Sequence, residues 1–107
     1  MGALAYNDPS ATWEDQAVAV VRGLALDAPF AAKNGHSGTA MALAPLGVAL
    51  FSRVLRHDPT DPLWPDRDRF ILSCGHASIL QYALLHLSGY ELSLDEIRRF
   101  RELGSLT

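Results

Sequence analysis

Residues 69–73, Arg-Phe-Ile-Leu-Ser, form the one stretch of this 107-residue chain that reads as a buried strand: short, apolar and bounded by turn signals. Cys74, Gly75 and His76 follow at once, and an apolar helical stretch opens at Ala77. Strand, glycine and helix N-terminus in that order make the kind of joint at which open α/β sheets bind ligands. Amides at a new helix N-terminus point outward with partial positive charge, and glycine lets a ligand approach the backbone. His76 could donate a hydrogen bond to an anion there, and an ordinary turn histidine is the competing reading.

The rest of the chain reads as helices. Thr12 is placed to cap a helix from Trp13, with Ala17, Val20, Val21 and Leu24 on one face and an end near Asp27. Before it, the first twelve residues are small and polar. "DAPFAAKNGHSGTA" then lacks a clear period and reads as a loop with a polar centre. A second helix is predicted from Pro45 through Leu46, Leu50, Val54 and Leu55 to about His57, where "HDPTDPLWPD" and its three prolines stop it. A third runs from Ala77 to Ser88, with Leu80, Leu84, Leu85 and Leu87, and stops at Gly89. Ser93 and Glu96 form a capping box for a fourth, with Ile97, Phe100 and Leu103 on one side and Gly104 at its end. One strand among four helices is not a complete α/β domain.

Composition narrows the function. The chain is 49% hydrophobic and 20% charged with a formal net charge of -3, which is the composition of a soluble globular protein of one domain or less. No basic run or face suits nucleic acid, and no stretch approaches the roughly 20 apolar residues of a membrane span. With neither a signal core nor a disulfide framework around the single Cys74, a cytoplasmic protein is expected.

Four histidines and a thiol are the candidate chemical groups. His57, at a helix C-terminus, suits the dipole and reads as structural, and His86, one turn from Tyr82, reads as a boundary residue. His36 lies in "KNGHSGT", where small neighbours leave the imidazole accessible, and an imidazole can pass protons to a substrate oxygen; a solvated loop histidine is the alternative. Cys74 reads as an inert buried thiol, since no third group orients a pair with His76. The histidines are too scattered in sequence to indicate a metal site.

Taken together, "KNGHSGTAMALAPLGVALF", "HDPTDPLWPDRDRFILSCGHAS" and "LLHLSGYELSLDEIRRFRELGSLT" resemble, in order and spacing, the N-terminal part of transketolase, over about residues 13–107. The resemblance implies that residues 1–107 are an incomplete N-terminal portion of a diphosphate-binding domain. That domain is a doubly wound α/β fold with a mostly parallel sheet, largely helical in this portion. It implies thiamine diphosphate as cofactor, with His76 on its diphosphate, Gly75 beside it and Thr39 against the cofactor. His36 would contact the ketose and take part in proton transfer, with Lys33 near the substrate phosphate. Magnesium ligands are expected outside these residues, and a homodimer or partner chain would complete the site.

The implied reaction moves a two-carbon ketol unit from a ketose phosphate to an aldose phosphate in the pentose phosphate pathway, the 107 residues alone being inactive. A transketolase-like enzyme with another acceptor, or a non-catalytic piece needing a partner, are the alternatives. One departure is Ser37, where the family usually has proline; without that ring the loop holding His36 is freer. Marginal stability is expected, because the helices would expose apolar faces meant for the sheet.

Overall fold

The Thr12 hydroxyl accepts the Asp15 N–H at 3.2 Å while the Asp15 carboxylate accepts the Thr12 N–H at 3.0 Å, and this reciprocal pair starts helix α1, Trp13–Ala32. The computed structural model describes residues 10–107; the remainder of the small, polar opening segment lies outside the described residues. Three further helices follow: α2, Gly38–Ala49, α3, Ser78–Ser88, and α4, Leu94–Arg98. A π-helical turn, Leu50–Val54, extends α2, and a 3-10 turn, Gly75–Ala77, leads into α3.

Helix boundaries differ from the sequence expectation: α2 ends at Ala49 with its π-helical turn reaching only Val54, short of His57, α4 ends at Arg98, short of Gly104, and two more boundaries differ at proline. α1 runs past Asp27 to Ala32 with Pro29 inside it, and α2 begins at Gly38 with Pro45 inside rather than at its start. An internal proline removes one helical hydrogen bond and typically costs about 3 kcal/mol. Pro29 is buried, and the Lys33 amide closes the helix end on the carbonyls of Pro29 and Phe30. Pro45 withholds the N–H due to the Met41 carbonyl four residues back, and there Arg22 intervenes from α1: its Nε donates to that carbonyl at 3.2 Å. A side chain 19 positions away supplies the donor that proline lacks.

The expected strand at residues 69–73 is not formed, and among the described residues there is no strand at all. A strand needs a second strand to satisfy its backbone groups, and none lies alongside. Instead residues 55–74 wrap the helices as an irregular strap, with Ile71 85% exposed. The described chain is therefore largely helical.

α1, α2 and α3 pack on one another, and α4 closes against α1 and α3. The core is built largely from small residues: Ala25 and Ala28 of α1, Ala40 and Ala44 of α2, and Ala83 of α3, with Val21, Val48, Ile79, Leu80 and Leu84 between them. Small side chains bring helix axes close. At Gly47 the approach is closest, since a Cβ built there would meet Leu84 Cδ1 at 2.7 Å. Ile97 and Phe100 seal the core from the C-terminal side, as their spacing predicts, whereas Leu103 beyond them is fully exposed. Trp13, expected on the buried face of α1, is more than half exposed.

His57 fastens the strap. Its Nε2 lies 2.7 Å from the Phe51 carbonyl oxygen and its Nδ1 2.7 Å from the Tyr90 hydroxyl, with the two rings stacked at 5.8 Å. A carbonyl can only accept, so the neutral ring carries its proton on Nε2 and accepts the Tyr90 O–H at Nδ1. The bond satisfies a carbonyl at the end of the π-helical turn. Next to it, the Thr60 hydroxyl and amide hold the Asp58 carboxyl below its ordinary range. Burial, then the Asp58 charge, raises the Tyr90 phenol above its ordinary pKa of 10.0, with Arg67 acting in the opposite sense.

Two outcomes follow for stability. Arg22→Ala should destabilise the chain by about 1 kcal/mol, and the loss should shrink in a Pro45→Ala background, where the helix supplies its own N–H; urea unfolding of the four variants measures the coupling. A phenol whose folded pKa is raised contributes stability that is complete below its unfolded pKa and is lost as pH rises through the folded one. Tyr90→Phe should therefore unfold about 1 kcal/mol more easily at neutral pH, with the gap to the parent narrowing above pH 10.0. A constant gap across that range would count against the assignment.

Candidate functional site

Three of the residues singled out in the sequence meet in space. The short loop between α1 and α2 carries His36, the first turn of α2 carries Thr39, and the 3-10 turn before α3 carries Gly75 and His76. The imidazoles of His36 and His76 meet edge to face with ring centroids 5.6 Å apart, and Thr39 Oγ1 lies 3.2 Å from His76 Nε2. Either partner of that hydrogen bond can donate, according to the tautomer of His76. Both imidazoles are exposed, and His36 has no hydrogen-bond partner among the described residues.

The electrostatics of this corner favour an anion. Ser37 ahead of α2 and Ala77 ahead of α3 make no side-chain cap, and neither the first turn of α2 nor that of α3 contains an acidic residue. The N-terminus of α2 and the start of the 3-10 turn that leads into α3, both with partial positive charge on their amides, therefore come together at a pair of imidazoles. Gly75 adds room: a Cβ built on it would meet nothing within 4 Å, so the protein's own packing does not require glycine there. Bare amides, open space and imidazole donors at this corner fit an anionic group such as a diphosphate.

The other candidates are placed as follows. Lys33 is the left-handed residue that ends α1, with φ 53°, and its side chain is exposed three positions before His36. Cys74 is partly buried and has no contact with His76 comparable to that of Thr39. His57 spends both ring nitrogens on Phe51 and Tyr90, and His86 Nδ1 lies 2.8 Å from the Leu92 carbonyl oxygen. One contact next to the site has no signal in the sequence: Arg101 Nη1 donates to Asn34 Oδ1 at 3.0 Å across 67 positions. An apolar groove of about 410 Å³, lined by Trp13, Val48, Phe51, His57 and Leu84 among others, shares no residue with the imidazole pair. No cluster of three or more metal-ligating side chains occurs among the described residues. No described helix is long and apolar enough to cross a membrane.

Comparison with known proteins identifies the family. Residues 13–107 match the model of the transketolase thiamine diphosphate binding domain. The chain is 55% identical over 87 residues to the chromosomal transketolase of Cupriavidus necator, covering 81% of this chain and 13% of that protein. It is 47% identical over 94 residues to the transketolase of Geobacillus stearothermophilus, covering 88% of this chain and 14% of that protein. Its fold superposes on transketolase from Leishmania mexicana with a TM-score of 0.82 at 45% identity, over 89% of this chain and 14% of the other. A Pichia stipitis transketolase mutant in complex with fructose 6-phosphate gives a TM-score of 0.85 at 43% identity, again over 89% and 14%. The chain thus spans only about one seventh of the length of these relatives. Over nearly all of its own length it matches their thiamine diphosphate binding domain, and it belongs to the transketolase family.

Proposed function

We propose that this chain supplies the diphosphate-binding edge and part of the substrate site of a transketolase, which transfers a two-carbon ketol unit from a ketose phosphate to an aldose phosphate. The observation that carries the reading is the meeting of His36, His76 and Thr39 where the uncapped N-terminus of α2 meets the 3-10 turn that leads into α3. Thiamine diphosphate, when bound, supplies the carbanion chemistry, and the protein supplies binding, orientation and proton transfer. His76 donates a ring N–H to a diphosphate oxygen, Gly75 lets the backbone amides approach it, and Thr39 sets the plane of the His76 ring. His36 holds or moves a proton at a ketose oxygen. Lys33 lends positive charge toward the sugar phosphate.

The same reading places residues 1–107 in the N-terminal portion of the diphosphate-binding domain. Its doubly wound sheet includes residues 69–73 once neighbouring strands are present, and the exposure of Ile71 suits that arrangement. Magnesium is held by residues outside these 107. The working enzyme is a cytoplasmic homodimer of the pentose phosphate pathway, and a fructose 6-phosphate complex of a Pichia stipitis relative supports a sugar phosphate as substrate.

Two substitutions in the full-length polypeptide separate the roles. His76→Ala should raise the thiamine diphosphate Kd about tenfold or more, the usual loss for one charge-assisted hydrogen bond, by calorimetric titration. His36→Ala should leave that Kd within about twofold and lower kcat/KM with a ketose phosphate donor by about 10²-fold or more, as expected for a lost proton-transfer group. Unchanged cofactor affinity in the His76 variant would sink the proposed diphosphate edge.

A further inference from the structure

Among the described residues only Lys33 and Arg101 are non-glycine residues with positive φ, at 53° and 63°. Lys33 is accounted for, since a left-handed residue is the usual way to end a helix such as α1. Arg101 ends no α-helix of comparable length, and a left-handed conformation costs an ordinary side chain stability that other contacts must recover. What the conformation achieves is a set of contacts. The Arg101 amide donates to the Thr107 carbonyl at 3.1 Å, its guanidinium lies 5.3 Å from the centre of the Phe100 ring, and its Nη1 donates to Asn34 Oδ1 at 3.0 Å.

Asn34 and Gly35 lead directly into His36. Gly35 has φ 126°, and a Cβ built on it would meet Phe100 Cε1 at 3.0 Å and Pro29 Cβ at 3.1 Å. The backbone of the loop is therefore seated on the buried Phe100 ring and on Pro29, while Arg101, the next residue after Phe100, grips the loop by the Asn34 side chain. Ser37, on the other side of His36, makes no side-chain cap and lacks a ring to fix its φ. The only side-chain hydrogen bond that reaches residues 34–37 from elsewhere in the described fold is the one from Arg101.

We infer that Arg101 is a positioning residue: through Asn34 it keeps Gly35 on Phe100, and so keeps the His36 imidazole against His76. Arg101 touches neither imidazole and acts only through the loop. For its effect on turnover the inference rests on the function proposed above, while its effect on the loop is independent of that function.

The test uses the full-length polypeptide with Asn34→Ala, Arg101→Gly and the double variant. Arg98→Ala, which removes only an exposed pair with Asp95, serves as control. Hydrogen exchange of the peptide spanning residues 33–38, kcat/KM, thiamine diphosphate Kd and Tm are measured for each. Asn34→Ala and Arg101→Gly should each speed exchange of that peptide about tenfold and lower kcat/KM about tenfold, with the cofactor Kd within about twofold of the parent. The double variant should lose no more than either single one. Glycine relieves the positive φ, so Arg101→Gly should not lower Tm although it frees the loop. A purely structural arginine would show the reverse: a lower Tm, parent-like loop exchange, and losses that multiply with those of Asn34→Ala. Either parent-like loop exchange in both single variants or multiplying losses would overturn the inference. If the parent has no transketolase activity, the proposed function fails and loop exchange still decides the role of Arg101.

Discussion

The close approach of α1, α2 and α3 through alanine and glycine governs the rest of this structure. Ala25, Ala28, Ala40, Ala44 and Ala83 are buried, and Gly47 leaves no room for a methyl group against Leu84. Larger side chains in this seam would push the axes apart, because packed interiors take up added volume poorly. With the axes close, α2 and the turn before α3 deliver Thr39 and His76 to within hydrogen-bond distance, although 37 positions separate them. The site is a consequence of helix separation.

Proline is handled by compensation elsewhere in the fold. Pro45 leaves the Met41 carbonyl without its helical donor, and the Arg22 guanidinium of the neighbouring helix fills the gap. His57 closes the end of the π-helical turn in the same way, giving its Nε2 proton to the Phe51 carbonyl while Nδ1 takes the Tyr90 hydroxyl. Backbone groups that the local sequence orphans are satisfied by side chains from other segments, in keeping with the cost of leaving such groups unpaired. The same economy is visible at Arg101, whose unfavourable backbone conformation is held by contacts with Asn34, Phe100 and Thr107.

Much of this was legible in the sequence, though unevenly. The Thr12 cap, the stop at Gly89 and the Ser93 cap lie where their residue types predict, and the Ser93 hydroxyl accepts the Glu96 N–H at 3.2 Å. The capping box at Ser93 is only half made, since the Glu96 carboxylate accepts the Leu106 amide at 2.7 Å. The start of α2 was misplaced by seven residues because proline reads as a helix start, and its actual tolerance depends on Arg22. Residues 69–73 read as a strand because they are short and apolar, yet a ladder needs a neighbouring strand. His36 and His76 were both singled out, each with an ordinary loop or turn reading beside it, and only their mutual contact makes them one corner.

The sequence by itself determined the features that depend on neighbours three or four residues away: helix caps, the stop at Gly89, and the placing of His76 at the start of a helix. It also carried the family resemblance, which rests on ordered motifs and needs no coordinates. Tertiary structure decided which of these pieces touch. The His36–His76 contact, the Arg22 bond to Met41 and the Arg101 bond to Asn34 all join distant segments. Local hydrogen bonds are specified by residue type and spacing, whereas contacts between distant segments depend on how closely the helices pack, and that is set by the volumes of all core side chains together.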